Sequence, residues 1–197
     1  KNRDANVKNA QMGKFNLPIE QIKAVPAFMG EVDLLKTIQL LPGVRNAGEG
    51  SAGIYVRGGG PDQNLILLDD APVYNTGHLF GFFSIFNSDA IKNVSLIKGG
   101  MSAQYGGRLS SVMDISMKEG NDKKFQVDGG LGLIASRISI QGPIKKNKAS
   151  FIVSARRTYI DALVKPAISK TIAFYGSGYY FYDLNAKINY RFSEKDR

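Results

Sequence analysis

The C-terminal part of the chain carries a two-residue alternation that limits the fold more than any other feature. Between Tyr180 and Phe192 every even-numbered position is apolar or aromatic, and every odd-numbered position after Phe181 is polar or charged. Successive side chains of a β-strand point to opposite faces, so this segment predicts a strand with one apolar and one polar face. At roughly 3.3 Å per residue it would span about 40 Å, which is long for a strand in a soluble domain.

The ends of this apolar face differ from its middle. Aromatic residues stand at both ends, and Leu184, Ala186 and Ile188 stand between them. Aromatic girdles around an aliphatic band are typical of a membrane-spanning strand. A half-buried antiparallel sheet also alternates, so a soluble sheet remains the alternative for this strand taken alone.

Weaker alternation upstream predicts three more strands in the same sheet. A change of phase near 134–136 predicts a tight hairpin, and the segment 161–178 is expected to be a loop. The four predicted strands lie at about 124–133, 137–143, 149–160 and 179–192.

The first part of the chain mixes short helical and strand patterns. Apolar residues at three-residue spacing predict a helix from about Glu31 to Leu41, with Glu31 and Asp33 in its first turn, where the helix dipole favours anions. Pro42 and Gly43 would end it. A short helical turn is expected at 19–23, and apolar strands are expected near 54–56, 65–68 (continued by 71–74), 94–97 and 112–117. Together these elements predict a small α+β domain.

The composition excludes several classes of site. The chain has no Cys, which excludes disulfides, thiolate zinc sites and a cysteine nucleophile, and its single His78 excludes a His-rich metal centre. No nucleophile, base and oxyanion donors can be assembled into one site, so we expect no enzyme, no metal and no cofactor. No apolar run approaches about 18 residues, and the first residues lack the apolar core of a signal peptide. The chain is therefore either cytoplasmic or a mature or excised segment.

Charge and local motifs give weaker signals. The formal net charge of +9 suggests an anionic partner, but Lys and Arg are scattered, so nucleic acid is not expected. The glycines at 58–60 are not followed by Gly-Lys-Ser/Thr, so they do not form a phosphate loop. Asp69 and Asp70 are best explained as a turn or a strand end, and Arg156 and Arg157 should face opposite sides of a strand.

Several motifs in order resemble the plug domain of TonB-dependent outer-membrane receptors. The sequence reads LLKTIQLLPGV, GIYVRGGG, NLILLDDAPVY and then DAIKNVSLIKGGMSAQYGGRLSSVMDISMK. The family pattern has Pro-Gly-Val after a helix, Arg-Gly after a strand, Asp-Gly-x-Pro-Val at a strand end, a hydrophobic stretch ending in Arg-Gly, and a Tyr-Gly. Asp70 stands where the family usually has Gly, and Lys98 stands where it usually has Arg. The overall sequence pattern is similar to that of receptors of the Bacteroidetes type.

The resemblance implies a fold and a function. The fold would be an α+β plug domain at 1–121, a short mixed sheet with short helices, followed at 122–197 by the first four or so antiparallel strands of an incomplete transmembrane β-barrel. Because the family closes about 22 strands around its plug, four strands imply a fragment of a larger receptor. The whole would sit in the cell outer membrane and take up a small solute, glycan or peptide, driven by TonB from the periplasmic side. Its other expected partners are the remainder of its barrel and outer-membrane lipid, with no nucleic acid.

The resemblance also implies site residues. Ligand would meet the plug at its outer loops, which here are 58–64 and 73–80; the ligand-binding candidates in the second loop are Tyr74, Asn75, His78 and Phe80. The family's motif and gating positions fall here on Arg57, Gly58, Asp69, Lys98, Gly99, Tyr105 and Gly106. Arg57 is expected to reach a carboxylate across the boundary between plug and barrel. A soluble periplasmic or surface module that reuses the plug fold remains the alternative to a transporter.

Overall fold

The computed structural model describes residues 13–25, 31–48, 53–78, 81–159, 161–162 and 179–193. The chain forms two compact units. The first comprises 1–24, 35–84 and 91–117, and the second comprises 25–34, 85–90 and 118–197. Each unit therefore contains segments that are distant in sequence.

Strands dominate both units, and the longest, of 9 to 11 residues, lie in the second unit. The helices are α1 (Ile19–Lys23) and α2 (Leu34–Gln39), and a 3-10 turn covers Pro61–Gln63. The strands of the described residues are β1 (Lys14–Pro18), β2 (Val44–Asn46), β3 (Ile54–Val56), β4 (Asn64–Leu68), β5 (Ala71–Pro72), β6 (Gly77–His78), β7 (Phe83–Ser84), β8 (Ile91–Lys98), β9 (Ser111–Met117), β10 (Gln126–Leu131), β11 (Ala135–Lys145), β12 (Ala149–Thr158) and β13 (Tyr182–Tyr190).

A mixed five-stranded sheet forms the centre of the first unit. Its order is β1-β8-β9-β4-β5, in which β4 runs parallel to β9 and the other neighbours are antiparallel. The strands β8 and β9 are buried along most of their length, and their apolar residues, among them Val94, Leu96, Val112 and Ile115, form the core. The predicted α+β class is confirmed.

The helix predicted from Glu31 begins later than expected. It starts at Leu34, so neither Glu31 nor Asp33 lies in its first turn. Both carboxylates are instead buried ahead of the helix. The prediction of the helix start was wrong because Glu31 takes part in a buried cluster of charges that the local pattern does not reveal.

The two aspartates after β4 form a tight turn. Both have positive φ, 46° for Asp69 and 67° for Asp70, and Leu68 pairs directly with Ala71. This is the geometry of a two-residue hairpin with left-handed central residues, which Asp tolerates better than most residues. The turn prediction is confirmed, but 71–74 do not continue β4, because the chain reverses at this turn.

The second unit contains a four-stranded antiparallel sheet in the order β10-β11-β12-β13. The four predicted strands are all present with shifted ends, and the predicted hairpin falls between Leu131 and Ala135. In the described part of the chain, no helix is both long enough and apolar enough to cross a membrane.

Candidate functional site

The four-stranded sheet exposes its apolar side. Along β13 the even positions are exposed and the odd positions are half-buried, with Leu184 70% and Ile188 72% exposed. The same register exposes Ile138 and Val153 on neighbouring strands. A sheet in water would bury this face, so the pattern is the inverse of a soluble half-buried sheet and fits strands whose apolar face meets hydrocarbon.

The opposite side of this sheet is polar and covered. On β12 the even-numbered positions are all buried: Ser150, Ile152, Ser154, Arg156 and Thr158. A segment that precedes the sheet by many residues packs here, because the Asn87 side-chain amide donates a 2.8 Å hydrogen bond to Ser154 Oγ. Residues 85–90 thus contact the polar face of the sheet through this hydrogen bond.

Buried charges concentrate beside this contact. Arg137, Arg156 and Asp183 lie directly opposite one another on β11, β12 and β13. Arg137 Nε lies 2.8 Å from Asp89 Oδ2, and Asp183 Oδ2 accepts hydrogen bonds from Arg156 at 2.9 and 2.6 Å. We call Glu31, Asp89, Arg137, Arg156 and Asp183 the charge cluster. Two like charges side by side on adjacent strands repel, so the carboxylates stabilise this arrangement.

Glu31 joins the charge cluster at longer range. Its carboxylate oxygens lie 3.9 Å from Arg137 and 3.8 Å from Arg156. Burial raises the pKa of Glu31 above its usual value, and the nearby guanidinium groups of Arg156 and Arg137 lower it again only in part. Glu31 therefore protonates more readily than an ordinary Glu as the pH falls.

The charge cluster was missed by sequence reasoning. Arg156 was correctly placed on the opposite face from Arg157, since Arg156 is 3% exposed and Arg157 is exposed. Its partners could not be found because Asp183 and Glu31 lie far along the chain. The one available signal was the alternation along β12, whose buried side carries Arg156 between the small polar residues Ser154 and Thr158.

Three of the four predicted ligand-binding residues lie between the end of β5 and the start of β7 in the first unit. Tyr74 is 84% exposed. The Asn75 side-chain oxygen accepts a 3.3 Å hydrogen bond from the Gly77 amide, so Asn75 shapes the turn. His78 lies on β6 opposite Phe83. Phe80 lies outside the described residues.

Two of the motif residues line a cavity. Arg57 and Gly58 follow β3, both with positive φ, and border a cavity of about 530 Å³ together with Arg45 and Tyr55. Among the described residues no carboxylate lies within ion-pair distance of Arg57. The predicted ion pair of Arg57 stays a prediction.

Lys98 and Gly99 end β8. The Lys98 ammonium donates a short hydrogen bond to the Pro42 carbonyl and lies 4.0 Å from the centre of the Phe15 ring. Burial, with a smaller contribution from Arg57, lowers the pKa of Lys98. Gly99 has φ of 76°, a left-handed conformation that favours glycine. Lys98 thus joins three segments of the first unit.

The remaining motif residues have structural surroundings. Asp69 accepts a 3.0 Å hydrogen bond from the Met117 amide and so connects the turn to β9. Tyr105 packs against the buried cluster of Leu67, Ile97 and Val112. A Cβ added at Gly106 would meet no atom within 4 Å, so nothing around this glycine requires the absence of a side chain.

Comparison with known proteins relates the first part of the chain to one family. Residues 20–112 match the family described as the TonB-dependent Receptor Plug Domain. The match covers slightly less than half of the chain, which over these residues is similar to a TonB-dependent receptor plug domain. No curated protein sequence matches the chain.

Solved structures extend the likeness beyond the plug domain. The chain is similar to the siderophore receptor PirA from Acinetobacter baumannii, with 20% identity, TM-score 0.63 and 93% of this chain covered. It is similar to PirA from Pseudomonas aeruginosa with 21% identity, TM-score 0.61 and 95% coverage, and to the copper transporter OprC with 13% identity, TM-score 0.58 and 92% coverage. The chain spans 30%, 32% and 28% of those three chains. Its fold is therefore a plug domain followed by antiparallel strands that match part of a receptor barrel.

Proposed function

We propose that this chain is the plug and the first wall strands of a TonB-dependent outer-membrane receptor that imports a small solute, glycan or peptide. The plug would close the lumen, bind cargo on its outer loops and be remodelled by TonB from the periplasmic side. The plug and wall regions would meet at residues 121 and 122. The sequence pattern supports a receptor of the Bacteroidetes type.

One observation carries this proposal. A sheet that exposes its apolar face and docks a segment of the plug sequence, 85–90, on its polar face fits a barrel wall between lipid and plug. The alternative, a soluble periplasmic or surface module, would leave Leu184, Ile188 and their neighbours in water. An exposed apolar surface of this extent is unfavourable for a soluble monomer.

Adjacent positions on β13 provide a matched test. In the full receptor, Leu184→Arg would place a charge against lipid at a cost of about 2–4 kcal/mol. Asn185→Arg introduces the same side chain one residue later, on the polar face. We expect Leu184→Arg to reduce the folded, heat-modifiable receptor in outer membranes much more than Asn185→Arg. Equal loss for both variants would contradict the assignment of the lipid face.

We also propose that the loop after β5 contacts cargo. Its exposed Tyr74 offers an aromatic face, His78 offers an imidazole, and Asn75 offers an amide that is partly used in the turn. Phe80 is proposed with them on sequence grounds. In the double variant Tyr74→Ala/His78→Ala, cargo affinity of the assembled receptor should fall. Unchanged affinity would exclude these two residues and direct attention to 58–64 or to the barrel wall.

A further inference from the structure

The four-stranded sheet β10-β11-β12-β13, here called the wall sheet, carries basic side chains from three separate segments at its end near residue 147. The Asn147 amide donates a 3.0 Å hydrogen bond to the Asp122 carbonyl, and the Arg191 amide donates a 2.9 Å hydrogen bond to the Lys148 carbonyl. These bonds hold the start of β10, the β11–β12 turn and the end of β13 together. We call the six cations that they gather the basic rim: Lys123, Lys124, Lys145, Lys146, Lys148 and Arg191.

The backbone of the basic rim is fixed. The Asn121 side-chain oxygen accepts hydrogen bonds from the amides of Lys123 and Lys124 at 2.9 and 3.1 Å. The Lys148 amide donates to the Lys145 carbonyl at 3.0 Å, which closes the tight turn around Asn147. Lys123, Lys124, Lys145 and Lys146 are all exposed, so their ammonium groups extend from an ordered backbone into the surroundings.

An aromatic layer lies next to the basic rim on the exposed apolar face. Tyr190 and Phe192 pack with ring centres 4.7 Å apart, and Phe125 meets Phe151 edge-on at 6.1 Å. The Lys148 ammonium lies 5.5 Å from the centre of the Tyr190 ring. This contact places a cation at the junction of the two layers. Aromatic rings followed by long cationic side chains match the order of acyl chain, glycerol and phosphate in a lipid leaflet.

The two ends of the sheet differ in charge. At the opposite end, beside the long β12–β13 connection, Arg157 and Asp161 carry opposite charges. Longer connections belong to the outer side of an outer-membrane barrel and short turns belong to the periplasmic side. The basic rim therefore lies at the periplasmic leaflet if the wall assignment proposed above is correct.

We propose that the basic rim binds the headgroups of anionic phospholipids in the periplasmic leaflet. This inference rests on the proposed function, because it needs the exposed apolar face to meet acyl chains. At this end Glu119 and Asp122 line a polar cavity with Asn189, Ser150 and two of the rim's own cations, Lys148 and Arg191. The other four cations, Lys123, Lys124, Lys145 and Lys146, are exposed beside the aromatic layer, so charge complementarity favours a phosphodiester anion there.

The test uses the full receptor in phosphatidylcholine bilayers that contain spin-labelled phosphatidylglycerol or spin-labelled phosphatidylcholine. The motionally restricted spin fraction gives the relative association constant of the two lipids. Each interfacial Lys or Arg raises anionic-lipid affinity by roughly fivefold at low salt. Because several lipids share the rim, we expect phosphatidylglycerol to be preferred by at least about threefold, with a loss of most of that preference near 0.5 M salt.

Matched double variants locate the effect. Lys145→Gln/Lys146→Gln should remove most of the preference, whereas Lys14→Gln/Lys92→Gln, which removes the same charge from exposed positions of the first unit, should not. Equal association of both lipids with the unmodified receptor at low salt would overturn the proposal, and so would an equal effect of both double variants. If the rim variant does not assemble, the salt dependence of the unmodified receptor still decides. A receptor that restricts neither lipid would instead refute the membrane function itself.

Discussion

Replacing Arg156 should destabilise the wall far more than replacing its neighbour Arg157. Arg156 is buried and donates two hydrogen bonds to Asp183, at 2.9 and 2.6 Å, with Glu31 3.8 Å away. Arg156→Met keeps much of the side-chain volume but leaves two buried carboxylates without this cation. Removing one partner of a buried ion pair costs about 3–5 kcal/mol, which is roughly a hundredfold to several thousandfold in the folding equilibrium.

Arg157→Met is the matched control on the same strand. Arg157 is exposed and lies 5.8 Å from the centre of the Tyr180 ring, a contact worth at most about 1 kcal/mol. The double variant Arg156→Met/Asp183→Leu should recover much of the loss, because a buried ion pair replaced by apolar residues is often close to neutral. The remaining deficit would come from Glu31.

The measurement is urea unfolding of the full receptor, under conditions in which unfolding and refolding curves coincide. The folded fraction is read from heat-modifiable migration, and the free energy of unfolding is extrapolated to water. Equal losses in the free energy of unfolding for Arg156→Met and Arg157→Met would refute the conclusion that the charge cluster stabilises the protein because it is buried. A double variant as unstable as the sum of its two single variants would refute the coupling of Arg156 to Asp183.

Three further predictions concern single positions. Because burial raises the folded-state pKa of Glu31, this group binds more protons in the folded protein than in the unfolded chain just above pH 4.5; its contribution to stability should therefore rise as pH falls through that window, and Glu31→Gln should remove this contribution from the stability-pH curve. Gly120→Ala should cost at least about twice as much as Gly107→Ala: both have left-handed φ, worth about 1–2 kcal/mol, but only at Gly120 would the new Cβ meet backbone, at 2.3 Å from the Phe151 carbonyl oxygen. Arg57→Ala should leave cargo affinity intact and lower uptake; unchanged uptake in whole cells would exclude a gating role.

The sequence by itself determined the local elements and the faces of the wall strands. A period of two assigns every side chain of β13 to one of two faces, so the apolar parity could be identified without coordinates. A turn or strand end at Asp69 and Asp70 was similarly predictable from local residues, but the reversal of the chain there was not, since 71–74 were expected to continue β4. Motif order along the first part also sufficed to predict a plug domain. These features depend on residues that are close in sequence.

Only the tertiary structure decided what meets the polar side of the wall. Helix α2 starts at Leu34 rather than at Glu31, and the Glu31 carboxylate lies near Arg137 and Arg156. Nothing near Glu31 in sequence signals those partners. Asp89 likewise pairs with Arg137 across a long sequence separation. The physical reason is that a buried carboxylate is costly without a cation, and the cation can come from any segment that folding brings close. Alternation places Arg156 on the inner face, but only the packing of 85–90 and of Glu31 against that face determines which charges it neutralises.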